Sequence, residues 1–193
     1  MITDYGTLKG WLASRINRSD LASVTPQAIR SAHDVIVGEM VLAADLTISG
    51  QSTAVPVGFR EALSVWLVNR PMIQLSEASE EMTQYISGTG VPYCFRIATT
   101  LNVYPTPMKP YIARMVYRVS RTFFDVDTDT NAILTRYPMV YAWLSLSELF
   151  GHTMDDSRSA QYLAKGMGEL GRAMSVEVGD ATRGALQMTS TAP

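Results

Sequence analysis

Hydrophobic side chains in the first forty residues recur at the spacing of helices. The first predicted helix has an apolar face of Leu8, Trp11, Leu12 and Ile16. Polar residues 17–20 interrupt that pattern, and a second apolar face then consists of Ile29, Ala32, His33, Ile36 and Met40. Thr25 followed by Pro26 predicts where the second helix begins, with Thr25 as the N-cap and Pro26 at the first helical position.

The period of the pattern changes to two between residues 41 and 120. Apolar and polar side chains alternate over residues 63–68, 93–98 and 111–120, and each of these segments predicts a strand. Residues 49–52 and 105–107 have turn composition, and residues 77–86 indicate a short helix between strands. This region is therefore interpreted as an antiparallel β-sheet or small sandwich inserted between helices.

Helical spacing returns over residues 131–178. One stripe consists of Leu134, Tyr137, Val140, Tyr141 and Leu144, and Ala142, Trp143, Leu146, Leu149 and Phe150 cover most of the remaining surface. A helix that is apolar nearly all round is buried on most sides. If the Trp143 ring is buried, Trp143→Ala should cost several kcal/mol, whereas a change below about 0.5 kcal/mol would place it on an exposed face. Gly151 and His152 end this helix. Residues 155–157 offer caps for another, whose apolar stripe comprises Ala160, Leu163, Ala164, Met167, Leu170, Gly171 and Met174.

The predicted fold class is α+β. A helical bundle is formed by two N-terminal helices in residues 1–40 and two C-terminal helices in residues 131–178, and the β-rich insert occupies residues 41–120. Residues 181–193 are small and polar and predict an extended C-terminal tail outside a single domain of residues 1–180.

Composition narrows the classes of function. The 193 residues carry a net charge of −2 and are 18% charged, which does not resemble the basic surface of a nucleic-acid-binding protein. A single cysteine, Cys94, excludes an internal disulfide bond. The N-terminus lacks the pattern of a signal peptide, and the apolar stretches are shorter than the ~20 residues of a membrane span. We therefore expect a soluble protein that is made in a cytoplasm.

Residues 166–171 match the dinucleotide-binding pattern G-x-G-x-x-G. A dinucleotide site needs this pattern at the start of a helix, where free backbone N–H groups meet the pyrophosphate. Here the glycines lie inside a helical pattern, which favours close helix packing over small residues. We expect no cofactor.

Other candidate sites fail on spacing. Asp125, Asp127 and Asp129 resemble the start of a calcium loop, but Thr130 stands where glycine is needed and Arg136 where a glutamate ligand is needed. His33 and His152 lack partners at metal-ligand spacing, and His152 is expected to contact the last carbonyls of its helix. Cys94 is expected to be buried and inert. We therefore expect neither a metal site nor catalytic residues.

A basic stripe is also conceivable. Arg114, Arg118 and Arg121 fall near one strand, and the negative net charge favours a solvated or intersubunit face for them over nucleic-acid binding.

Several segments together resemble the head-tail adaptor (connector) proteins of tailed bacteriophages. Residues 130–138, followed by residues 141–144, Glu148 and an acidic turn at residues 155–156, are similar to that family's Asn-x-Leu-Leu-x-x-Tyr-Pro and aromatic helix. Weaker similarity occurs, in the same order as in the family, in residues 5–9, 11–12, 17–21, 55–62, 101–107 and 111–119. Gly58 replaces a usual acidic residue, and His33 and Asp34 stand where the family is more acidic.

This resemblance implies a structural virion protein and no enzyme. It implies a ring of this chain, a dodecamer, that joins the portal protein to tail nozzle, stopper or fibre proteins and continues the DNA channel without sequence-specific binding or contact with a membrane. Assembly in the bacterial host cytoplasm would place it at the head-tail interface of the virion. The portal-interface candidates are Ala185, Leu186, Gln187, Met188 and Thr189. The subunit or core helix candidates are Tyr137, Tyr141, Trp143 and Leu144.

Two alternatives stay open at this point. One is another tail-completion or stopper ring protein, which would lie one ring below the portal. The other is a small nucleotide-binding protein that uses residues 166–171. Candidates for an acidic channel lining are Asp125, Asp127, Asp129, Glu169 and Glu177.

Overall fold

A computed structural model describes residues 1–68 and 73–182, apart from the side chains of residue 19 and residues 180–182. Six helices are present in this part of the chain: α1 Tyr5–Ile16, α2 Thr25–Glu39, α3 Glu80–Tyr85, α4 Ala132–Arg136, α5 Pro138–His152 and α6 Asp156–Thr182. The same part contains nine strands: β1 Val41–Ile48, β2 Ser52–Ala54, β3 Phe59–Leu67, β4 Ile73–Glu77, β5 Thr89–Gly90, β6 Cys94–Ile97, β7 Thr100–Tyr104, β8 Thr106–Pro107 and β9 Tyr111–Val119. The α+β fold class is confirmed.

The chain divides into two compact units. The helical unit comprises Met1–Met40 and Ser120–Ser175, and the β-rich unit comprises Val41–Val119 and, among the described residues, 176–182. Helix α6 contributes residues to both units. The assignment of residues 1–180 to a single domain, with residues 181–193 as an extension, stays a prediction.

Helix α5 forms the centre of the helical unit. It packs against α1, α2 and α4, and its buried side chains lie on nearly every side. They are Val140, Tyr141, Ala142, Leu144, Ser145, Leu146, Ser147 and Leu149. The apolar sequence of this helix therefore has a structural cause: these three helices, together with α6, which packs Gly166 against Leu144, remove most of its surface from water.

Side chains cap the start of helix α1, where the first backbone N–H groups have no acceptor within the helix. The Asp4 carboxylate accepts from the backbone N–H of Thr7 at 2.8 Å, and the Thr7 hydroxyl oxygen accepts from the N–H of Asp4 at 3.0 Å. At the other end, Asn17 adopts a left-handed conformation with φ of 52°, which asparagine tolerates better than most residues.

The predicted capping role of Thr25 is wrong. Val24 precedes α2 in a helical conformation, so no extended N-cap residue is present. The Thr25 hydroxyl instead donates to the Leu21 carbonyl at 2.9 Å, because a short 3₁₀ turn at Ser19–Leu21 leads the chain directly into the helix. Pro26 lies within the first turn, where its missing N–H is harmless.

A seven-stranded sheet dominates the β-rich unit, in the order β1-β9-β3-β4-β6-β7-β2. All its neighbours are antiparallel except β4 and β6, which are parallel, so the predicted antiparallel sheet has one exception. Strands β1 and β2 occupy opposite ends of this order but are joined by residues 49–51, and they contact each other. The sheet therefore curls until its two ends meet.

One predicted helix and one predicted turn differ from the structure. Residues 131–152 form two helices and not one, because Pro138 has no N–H to continue a helix through Tyr137. The turn predicted at residues 105–107 contains a cis Tyr104–Pro105 bond and the two-residue strand β8, which pairs with β5. The short helix predicted in residues 77–86 is confirmed as α3.

The apolar stripe predicted on α6 is only partly its buried face. Leu170 is buried, but Leu163 and Met167 are 47% and 45% exposed. The face that packs inward is turned by about one residue and includes Gly166 and Ala173. Small residues permit this close packing, so the helix buries a narrower strip than its apolar pattern suggests.

Candidate functional site

The residues predicted as subunit or core contacts lie on or beside α5. Tyr141 and Leu144 are buried, whereas Trp143 and Tyr137 are half-buried. All four positions therefore contribute to packing within one copy of the chain. Contact between subunits through any of them stays a prediction.

A buried polar network crosses the helical unit at Tyr141. The side-chain amide of Asn131 donates to the Tyr141 hydroxyl at 3.0 Å, and its carbonyl oxygen accepts from the N–H of Leu134 at 2.7 Å. With one donor already supplied by Asn131, the Tyr141 hydroxyl is left to donate to Nδ1 of His33, 2.8 Å away. The other ring nitrogen, Nε2, lies 3.4 Å from the Arg121 carbonyl. With the lowered pKa of His33, these partners favour a neutral imidazole that carries its proton on Nε2.

Burial determines the protonation of this network. It raises the pKa of Tyr141 and lowers the pKa of His33, because each charged form would lose its hydration. For His33, the Arg121 carbonyl and the Asp34 carboxylate oppose the lowering, and the Arg30 guanidinium adds to it. The rings of Phe123, Phe124 and Tyr141 pack around the imidazole. The network therefore serves the fold and leaves no basic nitrogen free for chemistry.

We expect the stability of the chain to fall as the pH is lowered below about 6.5, the ordinary pKa of histidine. The unfolded chain binds a proton there while folded His33 resists it, so the free energy of unfolding falls by up to ~1.4 kcal/mol per pH unit until the pH reaches the lowered pKa of the folded state. Urea titrations between pH 7 and pH 5 measure this slope. H33Q should reduce the slope, and an unchanged slope would contradict the assignment.

A second aromatic cluster is half-exposed across α1, α5 and α6. Trp143 meets Trp11 edge-on at 5.6 Å and stacks on Tyr162 at 5.7 Å, and Tyr162 stacks on Phe150 at 5.3 Å. Cations cover its faces: Arg15 lies over Trp11, Lys165 over Trp143 and Tyr162, and Arg158 over Phe150. The cluster holds the three helices together at their outer side.

Trp143→Ala is expected to destabilise the chain by about 2 kcal/mol, because two aromatic contacts and one cation contact are lost at a half-buried site. The loss lies between the several kcal/mol of a fully buried ring and the ~0.5 kcal/mol of an exposed one, because the ring is half-buried. A double-mutant cycle with Trp11→Ala separates the contact between the two rings from the loss of each ring's other contacts. We expect a coupling energy of about 0.5–1.5 kcal/mol. Strict additivity of the two substitutions would contradict the edge-on contact.

The glycine pattern at residues 166–171 lies in the interior of α6, where backbone N–H groups already bond within the helix. Gly166 is buried against Leu144. A Cβ at Gly166 would lie 2.6 Å from Leu144 Cδ2 and 3.1 Å from its backbone nitrogen, whereas Gly168 and Gly171 face open space. The pattern is therefore a helix-packing contact at its first glycine, and its other two glycines take no part in that contact.

The acidic residues 125–129 hold a loop against α1. The Asp129 carboxylate accepts from the N–H groups of Asp125 and Val126, which lowers its pKa. Asp127 pairs with Lys9 at 2.5 Å, and its carbonyl accepts from Gly6. Within residues 1–68 and 73–182, no group of three His, Cys, Asp or Glu side chains converges as a metal site.

Two further candidates from the sequence are Cys94 and His152. Cys94 is buried, and burial raises the pKa of its thiol. His152 is the exposed last residue of α5 and the basic residue of its last turn, and the structure gives its ring no hydrogen bond to a carbonyl of that helix. The Phe150 carbonyl is already taken by the Thr153 hydroxyl and by the backbone N–H groups of Thr153 and Asp155.

Charged residues proposed for a basic stripe or a channel lining are mostly engaged. Arg114 forms a two-pronged ion pair with Asp45, at 2.7 and 2.8 Å, which lowers the pKa of that carboxyl group. Glu169 pairs with Arg172. Glu177 is buried, and its carboxylate accepts from the N–H of Ala43 at 2.7 Å, so it ties the end of α6 to β1.

The structure leaves large apolar side chains exposed that sequence patterns did not single out. Tyr85 and Met82 on α3 are 87% and 55% exposed, and Met108 is 73% exposed. Methionine and tyrosine are enriched where proteins meet partners. The portal-interface candidates Ala185, Leu186, Gln187, Met188 and Thr189 lie outside the described residues.

Comparison with known families decides the assignment. A family described as the SU10 adaptor protein matches residues 3–189, which is nearly the whole chain. The chain belongs to the SU10 adaptor family. SU10 adaptors are structural phage proteins, so this adaptor is a structural component of the virion that associates with other head and tail proteins.

The family assignment confirms the resemblance to phage head-tail adaptors. No curated protein matches this SU10 adaptor. Among the helices that the structure describes, none combines the length and the apolar character that crossing a membrane demands.

Proposed function

We propose that this adaptor forms a ring of twelve copies that joins the portal to the tail or nozzle and continues the DNA channel. The observation that carries the proposal is the family match over residues 3–189. It is supported by the structural use of the chain's chemical groups: His33 and Tyr141 serve a buried network, Gly166 serves packing and Asp129 serves a loop.

The exposed surface is consistent with a protein that assembles. Leu163 and Met167 form part of an uncovered apolar stripe on α6, and Met82 and Tyr85 extend from α3. Scattered exposed apolar residues are ordinary, but neighbouring ones on one helix face mark contact surfaces. Ring formation would cover such surfaces in copies of the same chain.

The proposed channel lining is acidic or neutral, so that DNA slides through without counterion release rewarding a tight hold. Of the acidic candidates, Asp125 and Asp127 are exposed in a single copy, and Glu177 is buried and does not serve this role. Nozzle, stopper or fibre proteins are the proposed partners on the tail side, and assembly takes place in the bacterial host cytoplasm.

Deleting residues 185–193 is expected to abolish attachment to the portal and to leave the fold intact, because the proposed portal contact lies in residues 185–189. Pull-down with the cognate portal measures attachment, and thermal unfolding measures the fold. A variant with residues 185–189 in scrambled order is the matched control for chain length, and it should also fail to attach.

Two results would contradict this arrangement. Full attachment of the truncated chain would remove the tail from the interface, and unfolding of that chain would make the tail part of a core. Electron microscopy of the portal complex then shows the level of the ring: contact with the portal supports the adaptor, whereas a ring one level below indicates a stopper.

A further inference from the structure

The buried stripe of α6 ends in a carboxylate. Within residues 156–179 the buried positions of this helix are Gly166, Leu170, Ala173 and Glu177, spaced four, three and four residues apart. Such spacing describes one face of a helix, and apolar residues occupy that face where a helix packs inward. Glu177 is 6% exposed at the last position of the stripe, where the pattern favours an apolar side chain.

Glu177 is buried against the first strand of the sheet. Its carboxylate accepts from the backbone N–H of Ala43 at 2.7 Å, across 134 positions of the chain. Both residues belong to the β-rich unit. Strand β1 stands at one end of the strand order and pairs with β9. Because the Ala43 N–H bonds to Glu177, it points to the side of β1 away from β9, and the carboxylate caps it there.

The neighbours of Glu177 on α6 do not bury this part of the helix. Val176 and Val178 are 49% and 44% exposed, and Glu177 is the one buried side chain among residues 174–179. Apolar burial is non-directional, whereas a hydrogen bond from a buried polar group specifies register. Burying a carboxylate also costs free energy unless hydrogen bonds replace its hydration. The place of this end of α6 on β1 therefore depends on the bond to Ala43.

We propose that Glu177 is a positioning residue, whose bond to Ala43 fixes the place from which the chain beyond α6 reaches the portal. The inference rests on the proposed function, which assigns the portal contact to residues 185–189. From Glu177 to Thr182 the helix advances about 7.5 Å, and three further residues add at most about 11 Å. The Cα atom of Ala185 therefore lies within about 18 Å of the Cα atom of Glu177.

A fixed starting point favours binding because every copy then presents the same segment from the same place. Without the bond, only a fraction of the copies has the end of α6 in the position that binding requires. The apparent dissociation constant rises by the inverse of that fraction. In a ring the loss recurs at each copy, so the avidity of the whole ring falls further.

The first experiment compares Glu177→Met with Glu177→Gln in the full chain. Methionine keeps a buried side chain of similar length and removes the acceptor, whereas glutamine keeps an oxygen that accepts from the Ala43 N–H. Hydrogen exchange of the Ala43 amide and of residues 177–182 should accelerate about tenfold or more in E177M and stay within about threefold of the wild type in E177Q. Unchanged exchange in E177M would overturn the proposal.

Binding to the immobilised cognate portal is the second readout, measured at adaptor concentrations too low for a ring to form. E177M should bind about fivefold to twentyfold more weakly than the wild type, and E177Q within about twofold of it. Glu169→Met makes the same substitution at a half-exposed position of α6 and should bind normally. Rapid exchange at Ala43 combined with wild-type binding would make Glu177 only a cap of the strand and would refute its positioning role.

A flexible glycine–serine segment inserted between residues 182 and 183 tests the coupling. It keeps the bond to Ala43 and separates the tail from it, so Ala43 exchange should stay unchanged while portal binding weakens. E177M should add less than about twofold in that background, because both changes remove the same positioning. A purely structural role predicts that the two losses multiply. If E177M does not fold, the insertion alone decides: wild-type binding would overturn the proposal.

Failure of the proposed function gives a different result. If the wild-type chain does not bind the portal, or if deleting residues 185–193 leaves binding intact, the portal contact is not in the tail. The positioning role then falls with it, even where Ala43 exchange confirms the bond. If the tail is required and E177M binds normally, the portal contact stands and only the role of Glu177 is refuted.

Discussion

Gly166→Ala is expected to destabilise the chain by about 2–3 kcal/mol. The new methyl group would lie 2.6 and 2.7 Å from Cδ2 and Cγ of Leu144, closer than carbon atoms approach in folded proteins. Leu144 is only 3% exposed, so it has little room to move, and its backbone nitrogen lies 3.1 Å from the same position. Overpacking a buried contact lowers the free energy of unfolding by about this amount, which outweighs the better helix propensity of alanine.

Gly168→Ala is the matched control on the same helix. A Cβ there meets no atom within 4 Å, so the substitution should stabilise the chain by up to ~1 kcal/mol through helix propensity alone. Urea unfolding of both variants measures the difference, which should reach about 3 kcal/mol. Equal effects at the two glycines would show that α6 does not pack on α5 through Gly166.

Tyr141→Phe is expected to destabilise the chain by about 2–4 kcal/mol without changing the packed ring. Removing the hydroxyl leaves Nδ1 of His33 without a donor and the amide of Asn131 without its acceptor. Each buried polar group that loses its partner costs about 1–3 kcal/mol. The loss should also change the environment of His33, which NMR of the imidazole would report directly.

Tyr162→Phe removes the same atom from a half-buried ring whose hydroxyl makes no hydrogen bond among the described residues. Its effect should stay within about 0.5 kcal/mol, the range of surface substitutions. If Tyr141→Phe also fell within that range, the buried network would contribute nothing to stability, and the hydrogen bonds at Tyr141 would need another explanation.

The helical half of the fold could be predicted from local patterns. The apolar stripe through Tyr141 and Leu144 gave the position of α5, and Asp155 accepts from the N–H of Arg158 at 3.1 Å at the start of α6 as its sequence indicated. Spacing in the sequence also placed the glycine pattern inside a helix. These features depend on neighbours within a few residues, which a sequence displays.

Features that depend on distant partners could not be predicted. Strand β1 has a mixed burial pattern and pairs along its whole length with β9, so its alternation is weak and its partner is remote. The inward face of α6 is determined by Leu144 fitting over Gly166, which no periodicity reveals.

For the candidate site, the sequence predicted only what its resemblance to a protein family implies. Resemblance along the chain gave an adaptor, and the family match confirmed it. The exposed residues of α3, Met82 and Tyr85, were not found because a short helix with two apolar residues has no distinctive pattern. Exposure is a property of the folded neighbours of a residue, and those were unknown.

The ladder between β1 and β9 also governs when the chain can fold. Val41 pairs with Arg118 and Ile48 with Tyr111, so its partners are separated by 77 and 63 residues. During synthesis, β1 leaves the ribosome long before β9 exists, and α2 must likewise wait for α5. Both units therefore complete their folding late, after most of the polypeptide has been translated. Exposed strands during that interval favour aggregation, so expression at low temperature, where hydrophobic association is weaker, should raise the yield of native protein.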